Sequence, residues 1–134
     1  MTSLLITDLD RARLGTLFDR PMEFGPIGRR YRDDLEQGID EAACVDSTTI
    51  PGDVVTMNSM IRLRDLDTGA TETYTIVYPK DVDLGKNRIS ILGPLAPQML
   101  GKRVGDILHG PGRMGRLLIE ELIYQPERSG AFDL

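Results

Sequence analysis

The segment of this chain that comes nearest to a ligand-binding motif is Gly110–Gly115, which reads GPGRMG and matches G-x-G-x-x-G. A dinucleotide-binding loop of this pattern must follow a strand and open a helix, because the helix N-terminus holds the pyrophosphate. Here the loop precedes Arg116–Tyr124, which is rich in Leu and Ile and is typical of a strand. We therefore predict a hairpin connection at Gly110–Gly115 and no nucleotide-binding function for this motif.

His109 and Cys44 are the only histidine and the only cysteine of the chain. His109 lies at the end of a predicted strand, with no phosphate-binding loop or acidic metal site beside it, so we expect a structural or solvent-facing role. Cys44 lies at the end of a predicted helix. Its charged neighbours, Glu41 and Asp46, are acidic, whereas a nucleophilic thiol needs a basic neighbour. We predict that Cys44 serves packing. A single cysteine cannot form an internal disulfide, which fits a reducing cytoplasm.

Length and charge restrict the class of protein. The chain has 134 residues, 40% of them hydrophobic and 28% charged, with a net charge of −5. These values are typical of one globular domain, or a small domain with an appendage. Residues 1–46 contain ten acids and six bases, so −4 of the charge lies there. No basic excess attracts nucleic-acid phosphates, and an acidic arm favours a basic protein surface as partner. No apolar segment near the N-terminus is long enough for a signal peptide or membrane span. We expect a cytoplasmic monomer.

The C-terminal part of the chain predicts a β-rich domain. Alternating residues predict a strand at 61–64, followed by a Gly-containing hairpin turn and a return strand. Further strands are predicted near residues 88–92 and 116–124, with a short helix within Gly93–Asp106, which reads GPLAPQMLGKRVGD. The predicted order is therefore strand, hairpin, strand, strand, short helix, strand, hairpin, strand.

The N-terminal third predicts two short helices packed as an antiparallel hairpin. Thr7 is a good N-cap for a helix that runs to about Phe18. A second helix begins near Ile27 or Gly28, with an apolar stripe of one residue per turn. That stripe consists of Ile27, Tyr31, Leu35, Ile39 and Ala42. Such a pair is marginal alone, so we expect it to lean on the C-terminal domain or a partner. The predicted division is a helical hairpin at 1–46, a linker at 47–52 and a domain at 53–134.

Three ordered motifs resemble a known family. VVTMNS at Val54–Ser59, RISILGPLAPQMLGKRVGD at Arg88–Asp106 and LIYQPERSG at Leu122–Gly130 resemble the C-terminal domain of the bacterial Gre transcript-cleavage factors. VVTMNS and YQPE are closer to the small Rnk-type members than to the cleavage factors. The resemblance implies an α+β protein. Its N-terminal helical hairpin would be a short coiled coil, and its C-terminal domain an FKBP-like twisted antiparallel sheet with one short helix.

The resemblance also implies a partner and a docking loop. Gre factors dock on the rim of the RNA polymerase secondary channel through a Ser-Pro-hydrophobic loop, which Gly93, Pro94 and Leu95 match with Gly in place of Ser. Pro94 stiffens this loop, so that binding costs little ordering entropy. Leu95 and Met99 could then be an apolar anchor. Alternatively, both pack the short helix onto the sheet and only Pro94 is exposed.

The tip of the helical hairpin departs from the Gre pattern. In Gre factors, acids three residues apart at the tip of a long coiled coil help to bind a catalytic metal ion. Here Asp19 and Glu23 are four apart, with Pro21 between them and Met22 beside it. A helix of roughly 15 residues reaches only about 22 Å. We therefore expect no metal, no other cofactor and no transcript cleavage, with Asp19, Met22 and Glu23 left to touch a channel wall.

These observations favour a non-enzymatic regulator that binds at the secondary channel and competes with Gre factors, without sequence-specific contact to nucleic acid. Two alternatives stay open: a true cleavage-stimulating elongation factor, and a small interaction module with another partner. Prolyl isomerisation, which some FKBP-like folds perform, needs an aromatic-lined pocket. The chain has no Trp, and its three Phe lie outside residues 54–124.

Overall fold

The computed structural model describes residues 4–19, 33 and 35–130. Within them, the strands in chain order are β1 (Leu5–Thr7), β2 (Ala43–Val45), β3 (Met60–Asp65), β4 (Thr71–Val77), β5 (Arg88–Ser90), β6 (Ile107–His109) and β7 (Arg116–Tyr124). The helices are α1 (Asp8–Phe18), α2 (residues 35–41) and α3 (Ala96–Met99), with 3₁₀ turns at Pro79–Asp81, Leu84–Lys86 and Glu127–Ser129. The described part of the chain is thus an α+β protein with short helices.

A curled five-stranded sheet in the order β5-β4-β3-β7-β6 forms the C-terminal part. The predicted succession of strands, hairpins and short helix is confirmed. The predicted antiparallel sheet is confirmed for β3, β4, β6 and β7 and is wrong for β5. β5 runs parallel to β4, with Thr75 opposite Arg88 and Val77 opposite Ser90. The connection between them contains two 3₁₀ turns and returns the chain only as far as Thr75, so β5 lies beside the second half of β4. The FKBP-like and coiled-coil descriptions stay predictions.

Both predicted hairpins are present, and each depends on glycine. Between β3 and β4, Gly69 has a φ of 76°, and Asp65 N donates to Ala70 O at 2.8 Å. Between β6 and β7, Gly110 N donates to Gly115 O at 2.7 Å, and Gly115 has a φ of 69°. These left-handed conformations cost glycine little. GPGRMG is therefore a hairpin connection, as predicted.

The first predicted helix is confirmed with its cap. Thr7 accepts a hydrogen bond from Asp10 N at 3.0 Å through Oγ1, and α1 ends at Phe18. In the second helix, Leu35 and Ile39 are buried, which confirms the described part of the predicted stripe. Ile27 and Tyr31, and with them the start of this helix, lie outside the described residues.

Sequence reasoning missed the two strands that flank this helical segment. β1 and β2 pair in parallel, with Leu5 opposite Ala43 and Thr7 opposite Val45. The expectation that Cys44 ends a helix and serves packing is therefore wrong. Cys44 lies in β2, is exposed, and donates from Sγ to Asp8 Oδ1 at 2.9 Å.

One hydrophobic core joins the N-terminal segment to the sheet. Leu14 and Leu17 of α1 pack in the same buried cluster as Ile61 of β3 and Ile119 of β7. The expectation that the N-terminal helices lean on the C-terminal part is confirmed. The segment predicted to be a linker contributes Ile50, which is only 8% exposed. Among the described residues, no helix has the length and apolar character needed to cross a membrane.

Candidate functional site

The predicted docking loop is a turn that leads into α3. Gly93 N donates to Ser90 O at 3.0 Å, and Gln98 Nε2 donates to Pro94 O at 3.2 Å. Leu92 N donates to Ser90 Oγ at 3.0 Å. These bonds hold the loop in a single arrangement, in keeping with the stiffness that Pro94 predicts.

Burial decides between the two roles considered for the apolar residues of this loop. Leu95 is 7% exposed and Met99 is fully buried, and both belong to the hydrophobic core. Gly93 and Pro94 are half-buried. The prediction that Leu95 and Met99 are an exposed apolar anchor is therefore wrong, because both hold α3 on the sheet. The surface of this segment comes from Gly93, Pro94, Pro97 and Gln98.

The tip of the N-terminal segment is described only at its beginning. Asp19 is the C-cap of α1, is exposed, and donates its N–H to Thr16 O at 3.2 Å. Met22 and Glu23 lie outside the described residues. In the part of the chain that the structure describes, no three His, Cys, Asp or Glu side chains are grouped so that they could hold a metal ion.

Buried polar side chains gather where α1 meets the sheet, and sequence reasoning did not find them. We call the following residues the junction cluster: Thr7, Asp10, Thr56, Ser59 and Glu127, all buried. Asp10 Oδ2 accepts a hydrogen bond from Met57 N at 3.0 Å, across the boundary between α1 and the segment that precedes β3. A carboxylate is costly to bury unless it is hydrogen-bonded. Asp10 lies in the first turn of α1, where an acid is common, so its local sequence does not indicate a buried role.

The environment of Asp10 makes it the most perturbed acid described. Burial raises the pKa of its carboxyl from 3.8 to about 7, and the hydrogen bond from Met57 N opposes this rise. The negative charge of Glu127 raises the pKa of Asp10 further, and Arg13 lowers it. Near neutral pH, the folded protein therefore holds a mixture of charged and neutral Asp10.

Two of the motifs that carry the family resemblance meet in this cluster. Thr56 Oγ1, from VVTMNS, donates to Glu127 Oε1, from YQPE, at 2.7 Å, and Thr56 N donates to Ser59 Oγ at 3.0 Å. Gln125 Nε2 donates to Val54 O at 2.7 Å. The motifs therefore share one structural task, which is to join the C-terminal end of β7 to the segment that leads into β3.

The charged outer face of the sheet has a structural explanation. Arg62 Nε lies 2.8 Å from Glu120 Oε2, and a second Arg62 nitrogen lies 2.6 Å from Glu121 Oε2. Arg64 also binds Glu120, and the two arginines hold the pKa of Glu120 below its usual value. Cross-strand pairs of opposite charge stabilise a sheet, and no further role is needed for them. His109 ends β6 and is exposed, as predicted.

The fold and the junction motifs define the class of protein. The family model "Transcription elongation factor, GreA/GreB, C-term" matches residues 50–119, which include VVTMNS and the whole docking loop. The chain therefore belongs to the GreA/GreB C-terminal family.

Over its full length the chain is similar to a smaller relative. It is 36% identical to the "Regulator of nucleoside diphosphate kinase" of Escherichia coli K12, across 97% of this chain and 96% of that protein. The similarity to GreA of Maridesulfovibrio salexigens is 42% over 72 residues, which cover 54% of this chain and 45% of that protein. The match to the regulator therefore includes the N-terminal segment together with the sheet, whereas the match to this GreA covers about half of the chain.

Solved structures agree with this assignment. A prokaryotic GreA/GreB elongation factor from Nitrosomonas europaea has a TM-score of 0.77 at 37% identity, covering 92% of this chain and 100% of that chain. Gfh1 of Thermus thermophilus has a TM-score of 0.50 at 18% identity, which shows a shared fold.

Proposed function

We propose that this protein is a transcription regulator that binds RNA polymerase at the rim of its secondary channel and competes there with Gre factors. Membership of the GreA/GreB family supports the partner. The observation that carries the proposal is the full-length match to a regulator of nucleoside diphosphate kinase, whose N-terminal segment is as short as this one. In this proposal, a change in transcription alters the expression of nucleoside diphosphate kinase, and the protein itself is not an enzyme.

The surface of the docking loop supports a contact role. Gly93 and Pro94 of the turn and Gln98 of α3 form a half-buried surface held by the bond from Gln98 to Pro94, so a partner meets a surface that is already ordered. Binding to a preformed surface loses less conformational entropy than binding to a mobile one. Leu95 and Met99 assist indirectly, because their burial fixes α3 beneath the turn.

The dimensions of α1 favour regulation without transcript cleavage. Its 11 residues extend about 16 Å at 1.5 Å per residue. Asp19 follows directly at its end, exposed and with no described acid grouped around it for metal binding. We therefore propose that Asp19, Met22 and Glu23 touch the channel wall and deliver no metal ion.

Binding to core RNA polymerase is tested by size-exclusion chromatography of the mixture at micromolar concentrations, with and without a Gre factor. We expect co-elution that the Gre factor abolishes. Pro94→Arg places a long charged side chain on the docking surface and should weaken binding at least tenfold. Pro111→Arg is the matched control, because Pro111 is also half-buried but lies in the β6–β7 hairpin. Separate elution of the parent protein, or equal loss in both variants, contradicts the proposal.

Transcript cleavage is tested separately in backtracked complexes with the same preparations. We expect no stimulation above the rate of polymerase alone, although a Gre factor stimulates cleavage in parallel. Stimulation that disappears in an Asp19→Asn, Glu23→Gln double variant would establish the cleavage factor instead.

A further inference from the structure

An open cleft of about 1190 Å³ lies between α1 and the edge of the sheet formed by β4 and β5. It is separate from the docking loop, and neither Gly93 nor Pro94 lines it. The family motif of the docking loop therefore does not account for it. Ligand sites typically occupy about 300–1,000 Å³, so the cleft is large enough for a substantial small molecule.

The charge of the cleft is opposite to that of the chain. Its lining includes four bases, Arg13, Lys80, Lys86 and Arg88, and one acid, Asp81. Arg13 lowers the pKa of the buried Asp10, so part of its charge acts there. The other three bases still outnumber Asp81, in a protein whose net charge is −5. Lys80, Lys86 and Arg88 are exposed, and they form no ion pair or side-chain hydrogen bond with the described residues. Unpaired like charges brought together in a concave surface attract anions.

Backbone geometry places two of these bases, Lys86 and Arg88, on one tight loop. Asp83 N donates to Arg88 O at 3.1 Å and Arg88 N donates to Asp83 O at 2.9 Å, which closes the connection between β4 and β5 into a tight loop. Asn87 takes a left-handed conformation there, with a φ of 53°, and its Nδ2 donates to Thr73 O at 3.0 Å. Lys86 and Arg88 are therefore held on an ordered loop rather than on a random surface.

The inner wall of the cleft is apolar and aromatic. The lining residues of this kind are Leu17, Met60, Val77, Tyr78 and Tyr124. Burial raises the pKa of the Tyr78 hydroxyl, and Arg13, which also lines the cleft, forms a hydrogen bond with it that opposes the rise. The aromatic ring of Tyr78 therefore belongs to the wall of the cleft, while its hydroxyl lies on the protein side.

We propose that this cleft binds a nucleoside di- or triphosphate. The polyphosphate would lie against Lys80, Lys86 and Arg88, since charge-assisted bonds from lysine and arginine hold phosphate strongly. The base and ribose would occupy the wall that contains Tyr78 and Met60. The apolar wall favours a nucleotide over a bare inorganic anion, and the concave shape favours a small ligand over a nucleic-acid strand. A ligand there would touch both α1 and the β4–β5 connection.

Calorimetric titration of the full chain with ATP and GTP, at a fixed ionic strength of about 0.1 M, tests the proposal. Adenosine, inorganic pyrophosphate and a single-stranded oligonucleotide are titrated in parallel. We expect saturable one-to-one binding of a nucleotide, weaker binding of pyrophosphate and none of adenosine. The proposal is overturned if neither nucleotide saturates at millimolar concentration, if pyrophosphate binds as tightly as the nucleotide, or if the oligonucleotide binds more tightly. Because no polymerase is present, the result is independent of the proposed docking role.

Two variants with the same charge change locate the site. Arg88→Glu should weaken nucleotide binding about tenfold or more, because it removes one phosphate contact and adds a repelling charge. Arg113→Glu, in the β6–β7 hairpin outside the cleft, should change the affinity less than about twofold. Arg88 begins β5, so Lys86→Glu is tested beside it, and circular dichroism confirms that each variant is folded. Equal losses in the cleft and hairpin variants would refute the assignment.

Discussion

Beside the shared hydrophobic core, two local contacts attach the N-terminal segment to the C-terminal part of the chain, and they differ in chemistry. At the first, β1 passes over Gly101, with Leu5 N donating to Gly101 O at 3.3 Å, and apolar side chains of β1 and α2 surround it. At the second, Asp10 of α1 accepts a hydrogen bond from Met57 N inside the junction cluster. The first contact is tight and uncharged, whereas the second contains an ionisable group.

The two contacts should therefore respond differently to pH. Apolar burial and backbone bonds do not change with pH. The contact through Asp10 changes, because its carboxyl titrates near neutrality in the folded state. We therefore expect the Gly101 contact to set how stable the base of the segment is, and the Asp10 contact to set how that stability varies with pH.

The largest effect is expected at Gly101. Gly101 has a φ of 84°, and a Cβ there would lie 3.0 Å from Leu5 O and 3.3 Å from Leu4 Cβ. Gly101→Ala combines left-handed strain with a clash against β1, so the free energy of unfolding should fall by about 2–3 kcal/mol. Urea denaturation followed by circular dichroism measures this change.

Gly69→Ala is the matched control for Gly101→Ala. Gly69 has a similar φ of 76°, but an added Cβ there meets nothing within 4 Å. Only the backbone strain applies, so we expect a loss of about 1 kcal/mol. Equal losses of stability in the two variants would mean that the close approach of β1 to Gly101 adds nothing to the cost of the backbone strain.

The second effect is the pH dependence caused by Asp10. Its carboxyl titrates at 3.8 when unperturbed and at about 7 in the folded protein, so between these values the folded state holds more protons. Its contribution to stability is therefore complete below about pH 4 and is lost as the pH rises to 7, by at most about 4 kcal/mol. Asp10→Asn cannot titrate and should remove this slope, while its side-chain oxygen can still accept from Met57 N.

Urea denaturation at pH 5, 6, 7 and 8 measures the slope that Asp10 causes. Asp81→Asn, which neutralises an exposed acid away from the junction cluster, should keep the slope of the parent protein. If Asp10→Asn keeps that slope as well, the buried carboxyl is not its cause.

The smallest effect is expected at Cys44, on the exposed side of the N-terminal segment. The hydrogen bond to Asp8 raises the pKa of the Cys44 thiol, and the nearby negative charge raises it further. Asp8→Asn should therefore speed alkylation by iodoacetamide at pH 8, because more thiolate forms. The free energy of unfolding should change by no more than about 0.5 kcal/mol. An unchanged alkylation rate would show that Asp8 does not control the thiol.

Local patterns predicted the elements whose cause is local. Alternation and turn residues indicated both hairpins, and the hydroxyl of Thr7 indicated the start of α1. The polar network could not be predicted in this way. Asp10 and Met57 are 47 residues apart, and Thr56 and Glu127 are 71 apart. Their contacts exist only after the chain has folded.

The missed strands and the buried positions of Leu95 and Met99 were unpredictable for related reasons. β1 and β2 are three residues each, too short to show a period, and they become strands only through pairing with each other. Leu95 and Met99 have the spacing of one helix face, which fits an exposed anchor and a buried one equally well. The packing of α3 on the sheet decided between them. The clustering of Lys80, Lys86 and Arg88 could not be predicted either. They match no sequence motif, and they line one cleft only because the β4–β5 connection folds back on itself.

The parallel pairing of β1 with β2 has a consequence for how such proteins diversify. Leu5 lies opposite Ala43 and Thr7 opposite Val45, so the chain enters and leaves the helical segment at one fixed base. Adding residues between two tethered points costs little, since loop-closure entropy grows only with the logarithm of length. Arm length can therefore vary by whole helical turns while the base and the sheet stay unchanged. Reach into a partner and attachment to the sheet can thus evolve as separate traits.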